Sequence, residues 1–493
     1  MKNLREKTGG SKAALRVIEG GRASVPQGVT GDATDLANAE KLQALYGQNL
    51  RFVPAFKHWL WWTGRNWRED KSGTRVQQWA AETSRVLLRE AFSKLRAARK
   101  GQDKAAIKIA EAEVQWARNS QSRARIEAMI ALARSSASIV VEHEKLDAQP
   151  WLLNVQNGTI DLQTGMLRRH ERRDYLTKVA PVAYNSRATA PQWVRFLKDV
   201  LPDADVLDFL QRFVGYSSTG DTGERVLAVL HGGGRNGKSV FLRLIQAALG
   251  PYASTTLPAL LLSKGTDAHP TEVADLFGVR LAISSEVRKG RSFDEEQVKR
   301  LTGNDTLKAR RMREDPWEFP PTHKLIIAAN HRPHVSDTSE SFWDRVRLVP
   351  FAVRIADGKV DPRLVQKLMK ELPGILVWIL EGLRRYRKDG LRVPKAIQAA
   401  TAEYRNVEDR AGAFLRDCCE RAPRVFTYSE QIRKAYEAWA EPQNLEREVT
   451  DNQRAAALRE WGCKPRRLNS GAGWVGIRLK GLIKSRPREG AGQ

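Results

Sequence analysis

The sequence predicts an α/β core of short buried strands around a phosphate-binding loop, with a helical domain before it and a winged-helix domain after it. Three observations predict this. A short apolar run, Arg225 to Leu230, enters a glycine-rich loop ending Gly237-Lys238-Ser239, and a helical pattern from Val240 to Leu249 follows, closed by Gly250 and Pro251. Two further apolar runs, 278–286 and 324–330, each finish in a polar residue, Glu286 and Asn330. On either side the hydrophobic period changes to three and four, as helices require.

Composition narrows the function before any motif is read. With 493 residues the chain has room for two to four domains, each with its own core. No stretch approaches the eighteen or so apolar residues of a membrane span, so a membrane partner is not expected. The first 31 residues are basic and rich in Gly and Ser, with no apolar segment of the secretory kind, and read as a disordered tail of an intracellular protein. Three cysteines, Cys418, Cys419 and Cys463, are too few for a disulfide framework and lack zinc spacing, which leaves buried free thiols. The net charge of +26 is spread along the whole chain and favours a polyanionic partner, nucleic acid foremost.

Before the core, Trp59 to Trp67 reads as strand, turn and strand, its aromatics either stacking on bases or packing on the helices that follow. From Thr74 to Ser136 the apolar spacing predicts helices with a basic outer face. Asn157-Gly158 marks a turn, and a helix is expected from Ala190 to Phe213. The expected organisation is a tail (1–31), a helical N-terminal domain (32–190), the nucleotide-binding core (191–360), a helical connector (361–410), a winged-helix domain (411–485) and a tail (486–493).

The loop Gly232-Gly233-Gly234-Arg235-Asn236-Gly237-Lys238-Ser239 carries the most specific chemistry. Its glycines let backbone N–H groups turn inward around phosphates, and the helix N-terminus adds its dipole. Lys238 then reaches the β and γ oxygens, and the Ser239 hydroxyl is placed for Mg²⁺. A chance match arises at roughly 3 × 10⁻⁵ per window, and the flanking strand and helix reduce that further. ATP and Mg²⁺ are the expected ligands.

Hydrolysis needs more than a phosphate loop. Glu286, at a strand end, is the candidate carboxylate for metal and water, and Asn330 the candidate to hold the attacking water or touch the γ-phosphate. In Phe342-Trp343-Asp344-Arg345-Val346-Arg347 two arginines precede a last apolar strand. Arg345, with Arg347 as the fallback, could meet the γ-phosphate of a neighbouring subunit, or make an ordinary salt bridge. Between the second and third strands, Leu301 to Phe319 reads as a β-hairpin. Lys308, Arg310, Arg311 and Arg313 lie along or near its tip, facing either DNA phosphates or water.

This order of motifs resembles the superfamily 3 helicases, most closely their phage, plasmid and poxvirus primase-helicase branch. The resemblance is carried by Gly-Gly-Gly-Arg-Asn-Gly-Lys-Ser (232–239), Ser285-Glu286, Leu-Thr-Gly-Asn-Asp (301–305), Phe-Pro-Pro-Thr-His-Lys (319–324) with its strand to Asn330, and Trp-Asp-Arg-Val-Arg-Leu-Val-Pro-Phe (343–351). Asp35 to Ala39, the Trp-rich hairpin and Leu152 to Gly158 resemble the borders of that group's helical N-terminal domain.

The resemblance implies a P-loop NTPase core of AAA+ type, a hexameric ring with ATP at subunit interfaces, and 3′ to 5′ travel on single-stranded or forked DNA. By position, Lys238 and Ser239 would hold phosphate and Mg²⁺, Glu286 would be the Walker B carboxylate, Asn330 the sensor and Arg345 the finger acting in trans. Where many relatives have two adjacent acids, Ser285 precedes a single Glu286, which leaves open whether it polarises water, positions the metal, or both. No room remains for a primase domain, so priming is expected from a separate protein, with host replication proteins as further partners.

The C-terminal part reads as helix 413–421, strand 425–427, helices 429–440 and 451–461, and a hairpin of strands 464–468 and 474–479. That suggests a winged helix with Arg466, Arg467 and Arg478 on or near the wing, contacting DNA or a neighbouring subunit. The function these readings predict is ATP-dependent unwinding in phage, prophage or plasmid replication, in a bacterial cytoplasm. The alternative is an origin-binding, helicase-loading ATPase that does not unwind processively.

Overall fold

The computed structural model describes residues 33–256, 260–263, 270–285, 290–312, 314–335, 339–356, 358, 360–441 and 449–481. The expected tails and Glu286 and Arg313 lie outside the described residues. Backbone contacts divide the chain into one compact unit of residues 1–63 and 67–145 and a second of 64–66 and 146–493. Residues 146–190, grouped by sequence with the helical N-terminal domain, therefore fall in the second unit.

In the first unit, α1 (Asp35–Tyr46) starts at Thr34, whose hydroxyl accepts from the Ala37 N–H. An antiparallel sheet follows: β1 (Leu50–Val53), β2 (His58–Trp62) and β3 (Trp67–Asp70), in the order β1-β2-β3. Then come α2 (Thr74–Lys100), α3 (Lys104–Asn119) and α4 (Arg123–Ala133). Trp59 packs with Leu42, Val76, Ala80, Met129 and Ile130, and Trp67 is fully buried. These two rings are core, as the packing alternative anticipated. Trp61 is half-buried, with the guanidinium of Arg75 4.5 Å and that of Arg68 5.6 Å from its ring centre.

The second unit opens with an antiparallel sheet of β4 (Leu152–Val155), β5 (Gly158–Asp161) and β6 (Leu167–Arg168). The single helix expected over 190–213 is two, α5 (Pro191–Val200) and α6 (Ala204–Tyr216). Pro202 cannot continue the first, and Asp203 caps the second by accepting from the Asp205 and Val206 N–H groups.

The core elements are β7 (Leu227–His231), α7 (Lys238–Leu249), β8 (Ala253–Thr256), α8 (Pro270–Ala274), β9 (Leu281–Ser285) and α9 (Glu295–Leu301). After them come β10 (Leu307–Ala309), β11 (Trp317–Phe319), β12 (Lys324–Ala329), α10 (Glu340–Trp343) and β13 (Val346–Pro350). One sheet holds five of these strands in the order β13-β7-β12-β9-β8, every pair parallel. β12 is buried along its whole length, as expected of a central strand covered on both faces.

Two cations sit under the N-terminal edge of this sheet without a carboxylate partner among the described residues. Arg280 donates to the carbonyls of Ser218, Gln149 and Leu152 and lies 4.5 Å from the Tyr252 ring centre. Lys324 donates to the carbonyls of Thr219, Asp221 and Thr322, 4.8 Å from the Tyr216 ring centre. Backbone dipoles and aromatic faces thus satisfy both charges and tie the segment after α6 to the sheet. Burial, then the charge of Arg280, pushes the Lys324 ammonium well below its ordinary pKa.

Helices α11 (Leu364–Met369), α12 (Leu372–Asp389) and α13 (Lys395–Glu408) form the expected connector. The C-terminal module consists of α14 (Arg410–Cys418), β14 (Cys419–Tyr428), α15 (Ser429–Ala440), α16 (Asp451–Glu460), β15 (Lys464–Leu468) and β16 (Gly471–Leu479). Its antiparallel sheet runs β14-β16-β15 over a core of Phe414, Leu415, Ile432, Tyr436, Leu458 and Ile477. The helix expected over 413–421 stops at Cys418, because the next residues pair in register with Leu479, Arg478 and Ile477. All three cysteines are free, Cys419 and Cys463 buried. Among the described residues no helix is long and apolar enough to cross a membrane.

Candidate nucleotide site

In a parallel sheet ligands gather outside the carboxyl ends of the strands, and the sequence candidates sort themselves by that rule. The loop 232–237 leaves β7, Asn330 follows β12, and Glu286 follows the last residue of β9. β12 lies beside β7, so the loop and Asn330 share one edge of the sheet, while Glu286 lies outside the described residues.

The loop is held by short-range geometry. A Cβ on Gly232 would lie 2.1 Å from Asn236 Nδ2 and 2.4 Å from the Phe351 carbonyl, so only glycine fits. Gly237 has φ of 84°, and a Cβ there would lie 2.8 Å from Val200 and 3.1 Å from Phe196 of α5. Asn236 Nδ2 donates to the Phe351 carbonyl at 3.2 Å, and the Ile355 N–H donates to the Arg235 carbonyl at 2.8 Å. The segment after β13 is thereby fastened to the loop.

Lys238 is the first residue of α7 and is 4% exposed. Its Nζ donates to the Gly232 carbonyl at 2.7 Å, Asn236 Oδ1 at 3.0 Å and Asn330 Oδ1 at 3.1 Å. Each acceptor is neutral, and among the described residues no carboxylate pairs with it. Burial pushes its pKa below the ordinary lysine value. A buried, unneutralised ammonium at a helix N-terminus is a demand for an anion.

Beside it opens a cavity of about 600 Å³. It is lined by Asn236, Lys238, Ser239 and Asn330 and by the apolar Val240, Ile355 and Val360. A lining that joins a loop and helix N-terminus to apolar side chains suits a phosphate chain that continues into a ring. The sequence did not disclose Ile355 or Val360, because segment 352–360 has no period of its own. Ser239 is exposed at the start of α7 and offers a hydroxyl. Among the described residues there is no cluster of three or more His, Cys, Asp or Glu. A divalent ion here would therefore rest on Ser239, phosphate oxygens and water, with Glu286 outside the described residues.

Arg345 is not brought into this cavity. It precedes β13, and its carbonyl accepts from the Leu227 N–H at the start of β7. Val346 to Pro350 then run beside Leu227 to His231. Arg345 is thus one five-residue strand, about 16 Å, from the phosphate loop of its own chain. Its Nε donates to Thr302 Oγ1 at 3.1 Å and its Nη1 to the Ser341 carbonyl. Arg347 lies within β13, and burial lowers its pKa, against opposing effects of Asp344 and Glu224.

The predicted hairpin is present as β10 and β11, Lys308 opposite Glu318. Its cations differ in setting. Lys308 and Arg310 are exposed, Arg310 bonding the Glu314 carbonyl through Nε at 3.1 Å, whereas Arg311 is half-buried. Met312, 76% exposed, stands in the connecting loop.

The family described as D5 N terminal like matches residues 39–202, and a family of unknown function (DUF5906) matches residues 230–345. Among curated proteins, "Putative helicase L207/L206" of Acanthamoeba polyphaga mimivirus is 27% identical over 296 residues, 55% of this chain and 31% of that protein. "Putative primase C962R" of African swine fever virus (isolate Tick/Malawi/Lil 20-1/1983) is 23% identical over 325 residues, 60% of this chain and 34% of that protein. By these matches the chain is similar to the superfamily 3 primase-helicases. It spans about a third of the length of these two relatives. A solved structure titled "The A form apo structure of NrS-1 C terminal region-CTR" aligns over 87% of this chain and 96% of that one, at 11% identity and a TM-score of 0.45.

Proposed function

We propose that this chain is an ATP-driven DNA helicase of phage, prophage or plasmid replication, working as a hexameric ring. The observation that carries the reading is Lys238: a buried ammonium with three neutral acceptors, at a helix N-terminus and beside a cavity lined in part by apolar side chains. The strand order β13-β7-β12-β9-β8 supports an AAA+ type of core, with the phosphate loop and Asn330 on neighbouring central strands.

On this reading the loop N–H groups and Lys238 hold the β- and γ-phosphates, and Asn330 meets the γ-phosphate through the amide that contacts Lys238. Mg²⁺, when bound, draws charge from the phosphate oxygens, with Ser239 among its ligands. Arg345 serves the site of the adjoining copy, since its own lies a strand length away. The exposed Lys308 and Arg310 follow the phosphate backbone of a single strand, and travel is 3′ to 5′ by family likeness. The C-terminal module is read as a winged helix.

The test is strand displacement on forked DNA with a labelled strand, with and without ATP. ATP-dependent release, faster with a 3′ single-stranded arm, is the expected result. ATP turnover without strand release would replace this reading by that of an origin-binding, helicase-loading ATPase.

A further inference from the structure

The C-terminal module carries a cationic edge that the ATP site does not use. β15 is the outer strand of its sheet, and all five of its residues are exposed. Lys464, Arg466 and Arg467 project from it. Among the described residues their side chains make no ion pair or hydrogen bond, unlike Arg478 on β16, which pairs with Glu420 at 3.0 Å. Opposite Arg466 and Arg467 stand Gly473 and Ala472, and opposite Leu468 stands Gly471. The Phe426 and Tyr428 rings of β14 lie over Gly473 and Gly471, and the guanidiniums stand at the edge beyond them. The tip is anchored, since Ser470 Oγ and the Tyr428 hydroxyl are 2.8 Å apart.

We propose that this hairpin is a second nucleic-acid contact, a clamp on the phosphate backbone of duplex DNA, separate from any strand held by the ATPase core. Three unneutralised cations on an exposed edge strand are a surface for a polyanion. Lys464 and Arg466, two residues apart on one face, place charges about 7 Å from each other along the strand. Single strands are bound chiefly by stacking on exposed aromatic rings, whereas residues 464–471 contain none and the rings beside them, Phe426 and Tyr428, are half-buried and packed edge to face on each other.

The neighbouring helix is a poorer candidate. The exposed positions of α16 include Asp451 and Glu460, and the guanidinium of Arg459 lies 5.7 Å from the Trp474 ring centre. The module therefore grips with its hairpin, where a helix-turn-helix reader would use its helix. The contact is to phosphates and carries no base sequence by itself.

The experiment measures binding of the full chain to labelled duplex and to labelled single strand, without nucleotide, across a salt series. The triple variant K464A/R466A/R467A should weaken duplex binding roughly tenfold or more. It should also lower the slope of log K against log salt by up to about 2.7, three phosphate contacts at about 0.9 each. Single-strand binding and basal ATP turnover should stay unchanged, which separates this clamp from the proposed engine. R478A, whose charge is already neutralised, should behave as wild type, and K464R/R466K/R467K should keep the slope. An unchanged duplex slope in the triple alanine variant, an equal loss on single strands, or an equal effect of R478A would overturn the proposal.

Discussion

Lys238 Nζ and Asn330 Oδ1 lie 3.1 Å apart, joining the helix after β7 to the end of β12 across the mouth of the candidate nucleotide site. The lysine needs an anion, and the amide next to it is neutral. Replacing that amide by a carboxylate would satisfy the lysine internally and repel phosphate. Asn330→Asp should therefore weaken binding of a fluorescent ATP analogue more than Asn330→Ala does, although the aspartate is closer in shape. The reverse order would mean that Lys238 does not face the phosphates.

Lys238→Ala removes the buried charge itself. Turnover should fall by at least about 10² to 10³, the loss typical of deleting one donor to developing charge. The melting temperature should stay level or rise, because no described carboxylate is left unpaired. Retained turnover would refute the site; a large drop in melting temperature would make the lysine a structural residue.

Burial lowers the pKa of Lys238, so its ammonium loses its proton at a lower pH than an exposed lysine would. Phosphate binding favours the protonated form and raises that pKa again. Nucleotide affinity should consequently be full at lower pH and decline as pH rises through the lowered value, earlier than an ordinary lysine allows. An affinity flat up to the ordinary lysine range would contradict the assignment.

How far the sequence discloses this molecule depends on where the determining interactions lie. The phosphate loop, the strands ending at Ser285 and Ala329, and the Lys308 hairpin were legible because each rests on neighbours within a few residues: glycines at fixed offsets, apolar runs, a turn. The break at Pro202 was equally local and was passed over only because the apolar period continues across it. Arg280 and Lys324 were illegible. Their partners are carbonyls up to 131 residues away, so in sequence they look like solvent-facing cations on strands. The apolar lining of Ile355 and Val360 was hidden for the same reason, since a hydrogen bond to Arg235 places it.

His323 gives an acid-stability prediction. It is 3% exposed, and neither ring nitrogen has a hydrogen-bond partner among the described residues. Burial first and the charge of Lys324 second push its pKa down to about 4, against a smaller opposing pull from the Leu301 backbone. The unfolded chain takes up this proton near pH 6.5, the folded chain only near 4. Below pH 6.5 the unfolded state binds more protons, so stability is full above that pH and falls as pH drops toward 4. The loss is on the order of 3 kcal/mol for this residue. Denaturant melts of His323→Gln, which cannot charge, should decline less steeply over that window than wild type. Equal slopes would mean that His323 is hydrated in the folded protein.

Arg345 permits a test of assembly as well as chemistry. Its strand-length separation from the phosphate loop of its own chain leaves two outcomes: it contributes nothing to hydrolysis, or it acts on a neighbour. If it acts on a neighbour, Arg345→Ala should bind nucleotide normally yet hydrolyse it about 10³-fold or more slowly, as loss of an arginine finger does. Lys238→Ala is inactive for the opposite reason, having the finger but not the phosphate site. Mixed in equal amounts, the two variants form head-to-tail interfaces of which about one quarter join an intact Lys238 to an intact Arg345. Turnover of the mixture should rise toward that fraction of wild type, while each variant alone stays silent. If mixing restores nothing although both variants assemble, Arg345 is a structural tie to Thr302 and Ser341, and the site is complete within one chain.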